Sequence, residues 1–342
     1  MNVQPRVNKI SVNRIGVSKL CLVFVCAALA APAWALENSR PEIRQFVDEL
    51  VRDEGFERAA LNKVMAKAER KQAILDAMTK PAERNVPWFE YRERFMTGKR
   101  IGEGAEFWRA HAARLENVKD PDLAAAVTGI LGVETSYGRL TGRYRVLDAL
   151  ATLAFDYPPR AEFFRNELRQ FLLLTRDEAI DPTTALGSYA GAMGSPQFIP
   201  SSYRNFAVDA DGDGHRDLWS NWDDVIGSVA NYLRMHGWRD GEAVIADAAV
   251  DIKNAERFGP TKLELSDTVQ SLRDKGARFE TDLAADAPAM MIVAQGKDGP
   301  VYRVGFTNFY VISRYNRSSM YSMAVHDLGE AIQAFLRDAA QQ

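Results

Sequence analysis

The pattern of apolar and polar positions changes three times along the chain. Residues 43–51 and 107–115 repeat apolar positions at helical spacing, which predicts amphipathic surface helices. Residues 121–238 keep a helical pattern but are richer in Gly, Pro and aromatic residues. Residues 250–305 contain short β-prone runs separated by Gly and Pro, and a helix is predicted again for residues 319–337. The pattern therefore predicts a mainly α protein with a small β-containing insertion.

Glu134 stands at the end of the most apolar of these helices. Residues 124–133 are almost entirely apolar, Pro121 and Asp122 suit the first helical turn, and Gly138 suits its end. Apolar neighbours and the negative end of the helix dipole both disfavour a charged carboxylate. We therefore expect a raised pKa for Glu134, as a general acid near neutral pH requires. The ordinary alternative is a solvated acid on the last helical turn.

A second unusual segment follows some fifty residues later in the chain. Residues 187–203 fit neither a helical nor a strand period, and three glycines alternate there with polar and aromatic residues. Glycine permits close approach of the backbone, and the two prolines of the segment restrict its path. The segment is therefore either an ordinary packed loop or the wall of a sugar-binding site.

Glu134-Thr-Ser-Tyr-Gly-Arg139, followed by Ala190-Gly-Ala-Met-Gly-x-x-Gln-Phe-Ile-Pro-Ser-Ser-Tyr203, resembles the lytic murein transglycosylases of the B type. The resemblance extends from residue 89 to residue 325 and implies a lysozyme-like core that cleaves peptidoglycan. It also implies a mechanism with one acid. Glu134 would protonate the oxygen that leaves C1 of N-acetylmuramic acid. It would then take the proton of the C6 hydroxyl, which closes a 1,6-anhydro ring without water.

The resemblance further implies a set of substrate-binding residues. Ser188 and Asn316 would position the N-acetyl group or contact the acid, and Arg160 would meet a peptide or lactyl carboxylate. The sugar subsites would be lined by Gln197, Tyr232 and Tyr321, with Met193 and Phe198 either stacked on sugar faces or part of the core. Residues 308–321 look like the family's strand-to-helix return, which lines the active site. Their own pattern indicates a strand with an aromatic face, followed by a Ser-capped helix.

A third motif has the spacing of a calcium loop. Asp209, Asp211 and Asp213 alternate along the chain and are followed by Gly214, which is the opening half of an EF-hand loop. The alternation allows three carboxylates to face one hard cation, and His215 would add its backbone carbonyl oxygen. We expect a structural calcium ion that takes no part in the chemistry. A solvated acidic turn without metal is the alternative.

The closing half of this loop departs from the EF-hand pattern. Ser220 stands where the twelfth residue is usually Glu. The resemblance implies closure by Asp224 at the start of the next helix, with Asp223 as the alternative because the spacing is uncertain by one residue.

The N-terminus has the features of a secretory signal. Four basic residues precede an apolar run over residues 20–31, and cleavage is predicted after Ala35. Cys21 and Cys26 lack the small preceding residue of a lipoprotein signal, so a soluble periplasmic product is favoured over a lipoprotein. Cleavage removes both cysteines and makes the formal net charge of −3 four units more negative, which argues against nucleic-acid binding. No later apolar run is long enough for a transmembrane helix.

The pattern and the resemblance together predict a division of the chain. The expected parts are a signal peptide (1–35), a helical subdomain (36–118) with the C-terminal helix (319–342) packed on it, a lysozyme-like catalytic core (119–248), a small β subdomain (249–306) and a return to the core (307–325). We expect a monomer whose partners are peptidoglycan glycan strands and other cell-wall enzymes.

Two alternative functions remain open at this point. A hydrolytic muramidase acting on the same bond needs a second carboxylate, for which Asp148, Asp156, Glu162 and Glu167 are candidates, although each is more simply a helix-cap or surface charge. A non-catalytic peptidoglycan-binding scaffold needs no acid, and the intact motif around Glu134 argues against it. The sequence has no G-x-S-x-G motif and no zinc spacing among its histidines.

Overall fold

The structure is a computed structural model that describes residues 39–79 and 86–341 of the 342-residue chain. The predicted signal peptide and its cleavage site lie outside the described residues. Among the described helices, none is both long and apolar enough to cross a membrane.

The first part of the described chain is a set of helices. They are α1 (Pro41–Glu54), α2 (Arg58–Met65), α3 (Gln72–Thr79), α4 (Trp88–Glu93), α5 (Gly98–Ala110) and α6 (Ala112–Glu116). The helix predicted for residues 107–115 is divided between α5 and α6, because His111 has φ −120° and ψ 23° and interrupts the helical geometry. Apolar side chains of these helices contribute to the same large core as the central helices.

Helix α7 (Pro121–Thr135) contains the apolar helix expected from the sequence. It begins where the Asp120 carboxylate accepts a hydrogen bond from the backbone N–H of Leu123 at 2.8 Å, with Pro121 as its first residue. It ends where Ser136 and the next two residues take positive φ angles. Most of α7 is buried, so Glu134 reaches the surface from the end of a core helix.

The chain between α7 and the β insertion forms further helices around the long loop that carries the second motif. The elements are β1 (Tyr144–Arg145), α8 (Val146–Asp156), a 3₁₀ turn (Pro158–Arg160), α9 (Ala161–Asp177), β2 (Leu186–Gly187), α10 (Pro200–Phe206) and α11 (Trp222–Met235). Strands β1 and β2 pair antiparallel, with Tyr144 opposite Gly187. This short pair fixes the start of the loop over residues 188–199 against residues 144–145, which follow α7 in the chain.

The β-prone region folds as an antiparallel five-stranded sheet. Its elements are β3 (Ile245–Val250), a 3₁₀ turn (Ile252–Arg257), β4 (Asp267–Thr268), α12 (Val269–Asp274), β5 (Ala277–Arg278), β6 (Pro288–Gln295) and β7 (Pro300–Gly305). The strand order is β4-β6-β7-β3-β5, and β6 and β7 form a hairpin in which Gln295 faces Pro300. Val269, Leu272 and Val304 belong to a small separate core of this insertion.

The chain leaves the sheet through two helices, α13 (Thr307–Tyr315) and α14 (Ser319–Ala340). The strand indicated by the pattern of residues 308–315 is therefore wrong, since these residues form α13. Its β-favouring aromatic residues lie on a helix whose Phe309, Val311 and Ile312 face the core, so tertiary burial outweighs strand propensity. The capped helix is present, because Ser318 accepts a hydrogen bond from the backbone N–H of Tyr321 at 3.3 Å.

Helices α7 and α14 pack at very short distance because glycine lies at their contact. A Cβ atom on Gly129 would overlap the carbonyl oxygen of Val325, and a Cβ atom on Gly329 would overlap that of Ala125. The two backbones therefore touch directly, and this contact places the start of α14 beside the end of α7.

Candidate active site

Glu134 is the penultimate residue of α7, and its carboxyl group has one direct partner. The hydroxyl of Tyr321 donates a hydrogen bond to Glu134 Oε1 at 2.8 Å. Glu134 is partly exposed to solvent, and burial by the surrounding protein is the largest influence on its carboxyl group. Burial raises the pKa of Glu134 from 4.5 to about 7, and the bond from Tyr321 opposes that rise. The carboxyl group is therefore poised to change its protonation state near neutral pH.

Tyr321 comes from the first turn of α14 and is buried, with 1% of its surface exposed. Its ring lies nearly parallel to that of Tyr315, with 6.5 Å between centroids and 12° between planes. Tyr321 was predicted as a subsite residue from the family resemblance. The structure brings it into direct contact with Glu134.

Tyr315 is a site residue that the sequence analysis missed. Its hydroxyl donates to the carbonyl oxygen of Pro196 at 2.6 Å, and its ring packs edge-on against Tyr232 at 4.8 Å. It thus connects the Tyr321 ring to the loop after β2. One indication of this role in the sequence is that Tyr315 stands next to the predicted site residue Asn316. However, an aromatic residue at the end of a β-favouring run is usually part of the core.

Thr135 ties the end of α7 to the second motif. Its hydroxyl donates to the carbonyl oxygen of Ser195 at 2.8 Å and accepts from the backbone N–H of Gly138 at 2.9 Å. Ser195 in turn donates its backbone N–H to the carbonyl oxygen of Leu218 at 2.8 Å. The two sequence motifs and the region after the acidic loop are therefore linked by consecutive hydrogen bonds, which hold the backbone next to Glu134.

Ser188 and Gln197 shape the loop and each retains one hydrogen-bonding function. Ser188 Oγ accepts from the backbone N–H groups of Ala192 at 3.0 Å and Ala190 at 3.3 Å, which leaves its proton to donate. Gln197 Nε2 donates to the carbonyl oxygens of Thr141 at 3.0 Å and Gly194 at 2.9 Å. The Gln197 side-chain carbonyl oxygen is left to accept a further bond.

Of the two roles left open for Met193 and Phe198, stacking on a sugar or packing in the core, the structure favours the second, because both side chains lie in the core. Their exposed fractions are 0% and 2%, and their backbones pair with each other across the turn of the loop. A side chain that is fully enclosed by protein has no face to offer a sugar. Tyr232 is also buried, and its hydroxyl donates to the carbonyl oxygen of Arg314 at 2.7 Å, so it supports Tyr315 from behind.

Asn316 and Arg160 are both exposed. Asn316 ends α13, two residues before the cap of α14, on the same return segment as Tyr315 and Tyr321. The Arg160 guanidinium lies 4.2 Å from the ring centroid of Phe163, an arrangement that leaves its N–H groups available for an anion.

The four candidates for a second catalytic carboxylate lie in environments different from that of Glu134. Asp148 is buried and bonds Arg145 and the backbone N–H of Glu69, each at 2.8 Å. Asp156 pairs with Arg40 at 3.0 Å. Glu167 is buried, which corrects its interpretation as a surface charge, and accepts from the backbone N–H of Ser201 at 2.9 Å. Glu162 is exposed on α9. Across the described residues, no second charged group contributes to the pKa shift of Glu134.

The acidic loop brings three carboxylates together. Oxygen atoms of Asp209, Asp211 and Asp213 lie within 4.8 Å of one another and are exposed. Three carboxylate oxygens are the donor set that a hard cation such as Ca²⁺ prefers, so these residues fit the predicted ion. The side chain of Asp209 also accepts the backbone N–H of Gly214 at 2.8 Å, and the backbone N–H of His215 bonds Asp213 at 2.8 Å.

The two candidates for closing this loop have different partners. Asp224 is buried at the start of α11, and its two oxygens accept the backbone N–H groups of Ala210 and Asp217, each at 2.8 Å. It lies outside the cluster of three, so in this structure it fastens both ends of the loop rather than completing an oxygen cage. Asp223 pairs with Arg114 at 2.8 Å, which argues against it as a ligand.

Comparison with known proteins identifies the relatives of this chain. The family model of the Transglycosylase SLT domain matches residues 38–330. The chain is 39% identical over 309 residues to the membrane-bound lytic murein transglycosylase B of Escherichia coli strain K12, covering 86% of this chain and 83% of that protein. The chain belongs to this family. The family resemblance and the enzyme class predicted from the sequence, a lytic transglycosylase, are thereby confirmed.

Solved structures confirm the predicted fold class, a mainly α lysozyme-like core with a small sheet. The soluble lytic transglycosylase SltB1 of Pseudomonas aeruginosa superposes with a TM-score of 0.81 at 48% identity, covering 85% of this chain and 98% of that one. The Escherichia coli lytic transglycosylase Slt35 in complex with calcium has a TM-score of 0.81 at 38% identity, covering 89% and 96%. SltB3 of Pseudomonas aeruginosa in complex with NAG-anhNAM-pentapeptide has a TM-score of 0.76 at 28% identity, covering 85% and 79%.

Proposed function

We propose that this protein is a lytic transglycosylase that cleaves the MurNAc-(β1,4)-GlcNAc bond of peptidoglycan and forms 1,6-anhydroMurNAc. The observation that carries the proposal is the single carboxyl group of Glu134, held by Tyr321 at the end of α7 with its pKa raised to about 7. The SltB3 relative, whose bound ligand contains an anhydro sugar, supports this product class.

The raised pKa suits a group that acts first as an acid and then as a base. Near neutral pH both protonation states of Glu134 are accessible, so neither half of the reaction begins from a rare form. Tyr321 donates to Oε1, which leaves Oε2 as the oxygen that carries and delivers the proton. The hydrogen bond also stabilises the carboxylate that forms when the proton leaves.

In the proposed reaction Glu134 gives its proton to the glycosidic oxygen as the C1–O bond breaks and the GlcNAc portion leaves as an alcohol. The N-acetyl group of the same MurNAc supports the positive charge that develops at C1. Glu134, now ionised, takes the proton of the C6 hydroxyl while O6 forms a bond to C1. The acid is regenerated, no water is consumed, and no second carboxylate is needed.

We propose that four further residues bind the substrate. Ser188 has a hydroxyl proton left to donate to the N-acetyl carbonyl, and Gln197 has a carbonyl oxygen left to accept a sugar hydroxyl or N–H. Asn316 is exposed on the return segment and would contact the N-acetyl group, and Arg160 would meet a carboxylate of the peptide or lactyl group.

We propose calcium as the ion of the acidic loop, with a structural role. Asp209, Asp211 and Asp213 would bind it, together with the carbonyl oxygen of His215. The Slt35 complex with calcium supports this choice. The ion would hold the loop against α11, and the bonds through Leu218 and Ser195 connect that loop to the end of α7.

We also propose a periplasmic protein, released by cleavage after Ala35, that acts as a monomer. We further propose that the chain divides into a helical part, a catalytic core and a β insertion. Asp224 would close the acidic loop by binding its backbone N–H groups rather than the ion.

The test is digestion of purified peptidoglycan with mass spectrometry of the released ends. Wild type is expected to yield anhydro ends, one water lighter than reducing ends, and Glu134→Gln is expected to yield none. Glu162→Gln, which removes an exposed carboxylate on α9, serves as the matched control and should retain activity. Reducing ends would identify a hydrolase, and absence of cleavage by folded wild type would identify a scaffold.

A further inference from the structure

The last turn of α7, which carries the proposed acid, is held by a side chain of helix α5. The Arg100 guanidinium donates a hydrogen bond to the backbone carbonyl oxygen of Gly132, two residues before Glu134. The same carbonyl oxygen accepts the backbone N–H of Ser136 at 3.2 Å. Helix ends fray because their last carbonyl groups have few partners within the helix, so a donor from another helix stabilises this turn. The bond acts on the backbone from which Glu134 projects.

Tyr137 forms a second bond between the same two helices. It follows α7 in the chain and is buried, and its hydroxyl donates to the backbone carbonyl oxygen of Arg100 at 3.1 Å. Its ring stacks on that of Phe107, another residue of α5, with 5.5 Å between centroids. Arg100 therefore donates to α7 through its side chain and accepts from the segment after α7 through its backbone.

The space for the Tyr137 hydroxyl depends on glycine in both helices. A Cβ atom on Gly104 of α5 or on Gly132 of α7 would overlap this hydroxyl. Tyr137 itself has a φ of 60°, a left-handed backbone conformation that is unfavourable for a residue with a side chain. Strained backbone of this kind persists where its surroundings hold it in place, and it concentrates at functional sites. The contacts of Tyr137 with α5 provide that support.

The position of Arg100 in α5 is electrostatically unfavourable for α5 itself. Arg100 lies in the first turn, where its backbone N–H donates to the hydroxyl oxygen of Thr97 at 3.2 Å. A cation there lies near the positive end of the dipole of α5, whereas the carbonyl groups at the end of α7 are the negative end of another helix. The guanidinium also lies 5.4 Å from the ring centroid of Phe95. The favourable interactions of this side chain are therefore with groups outside its own helical turn.

The effect of Arg100 on the acid is one of geometry. The pKa of Glu134 is raised by burial and lowered by the bond from Tyr321, and the charge of Arg100 does not contribute. What Arg100 contacts is the backbone two residues before the acid. Loss of this contact would thus change the orientation of the Glu134 side chain and leave its tendency to ionise unchanged.

We propose that Arg100 is a positioning residue for the transglycosylase reaction. Together with Tyr137 it fixes the last turn of α7, so that the Glu134 carboxyl group stays at its hydrogen-bond distance of 2.8 Å from the hydroxyl of Tyr321. This inference rests on the proposed function, and it adds helix α5 to the parts of the chain that determine the rate.

The test compares kcat and KM of Arg100→Ala and wild type on soluble, uncross-linked glycan strands, with anhydro ends counted by mass spectrometry. We expect kcat to fall by about 10- to 100-fold, because a small misplacement of a reacting group has an effect of this size, while KM changes less than about twofold. Arg100→Lys keeps the charge and a donor and should recover most of the rate. Guanidinium chloride at a non-denaturing concentration should raise the rate of Arg100→Ala, and sodium chloride at equal ionic strength should not.

Three further variants separate positioning from general destabilisation. Arg109→Ala is the matched control, because Arg109 is an exposed arginine of the same helix, and it should leave kcat unchanged and insensitive to guanidinium. Leu272→Ala lowers stability in the separate core of the β insertion, so it reports what a lower melting temperature alone does to kcat. Tyr137→Phe should also lower kcat, and combining it with Arg100→Ala should cost less than the product of the two single losses.

A structural measurement distinguishes failure of this inference from failure of the proposed function. In crystal structures, the bond between Glu134 and Tyr321 should be present in wild type and lost in Arg100→Ala. An intact bond in Arg100→Ala, an unchanged kcat, a loss confined to KM, or an equal loss of kcat in Leu272→Ala would each overturn the positioning role. Reducing ends released by wild type would instead refute the transglycosylase reaction.

Discussion

Replacement of Glu134 by Gln is expected to stabilise the folded protein at neutral pH while abolishing activity. Burial holds the pKa of this carboxyl group at about 7 in the folded protein, against 4.5 without the fold. Below pH 4.5 the group is protonated and uncharged in both the folded and the unfolded chain, so its burial as an anion does not lower the free energy of unfolding. Between pH 4.5 and about 7 the unfolded chain is ionised while the folded chain still holds the proton, so the folded state loses stability relative to the unfolded state, and the loss is complete above pH 7.

The magnitude follows from the two pKa values. Each pKa unit is equivalent to about 1.36 kcal/mol, so the difference between 4.5 and about 7 corresponds to about 3 kcal/mol. The glutamine side chain of the variant would retain a carbonyl oxygen to accept the hydroxyl of Tyr321, so the substitution removes the charge and keeps the contact. The free energy of unfolding of Glu134→Gln should exceed that of wild type by about 3 kcal/mol at pH 8 and by almost nothing at pH 4.

Urea denaturation at both pH values measures this difference directly, with the slope of the transition checked for equality between variants. Glu264→Gln provides the control, because Glu264 is exposed and its replacement should change the free energy of unfolding by less than about 0.5 kcal/mol. A Glu134→Gln variant that is equally stable or less stable than wild type at pH 8 would refute burial as the cause of the raised pKa.

Three further predictions concern the neighbours of the acid and the loop. Tyr321→Phe removes the bond that opposes the raised pKa, so the alkaline limb of the pH–rate profile should move upward by about one unit, and an unchanged limb would contradict this. Thr135→Val leaves buried groups unpaired and should lower the rate constant and cost about 1–3 kcal/mol of stability, whereas Thr135→Ser should restore both. Calcium at 100 times its Kd should raise the free energy of unfolding by about 2.7 kcal/mol, and Asp211→Ala should abolish that gain in a thermal melt.

The sequence predicts the elements whose pattern is local. Helix α7 is predicted because ten consecutive positions before Glu134 are nearly all apolar and Pro121 suits its first turn. The β6–β7 hairpin is predicted because two β-prone runs flank a turn rich in Gly and Pro. The raised pKa of Glu134 also follows from this local setting, since the helix that ends there is buried on nearly all sides.

Side-chain direction within an irregular loop is what the sequence does not predict. Met193 and Phe198 have no periodicity to indicate which way they point, and their burial results from a backbone turn in which they pair with each other. Asp223 and Asp224 differ by one helical position, which turns one toward Arg114 and the other under the loop. Tyr315 connects the Tyr321 ring to the loop after β2 through a hydrogen bond to Pro196, which is far from it in sequence. A contact of this kind cannot be predicted from the local sequence pattern.

Backbone touches backbone where α7 crosses α14, at Gly129 and Gly329. The spacing between Glu134 and Tyr321 therefore depends on two main chains that are in direct contact at Gly129 and Gly329. An added methyl group at either glycine would separate the helices and carry the tyrosine away from the acid. The two glycines lie away from the proposed sugar site, yet they set the distance between Glu134 and Tyr321. Evolutionary variation at either glycine is therefore expected to alter the rate of the reaction before it alters the choice of substrate.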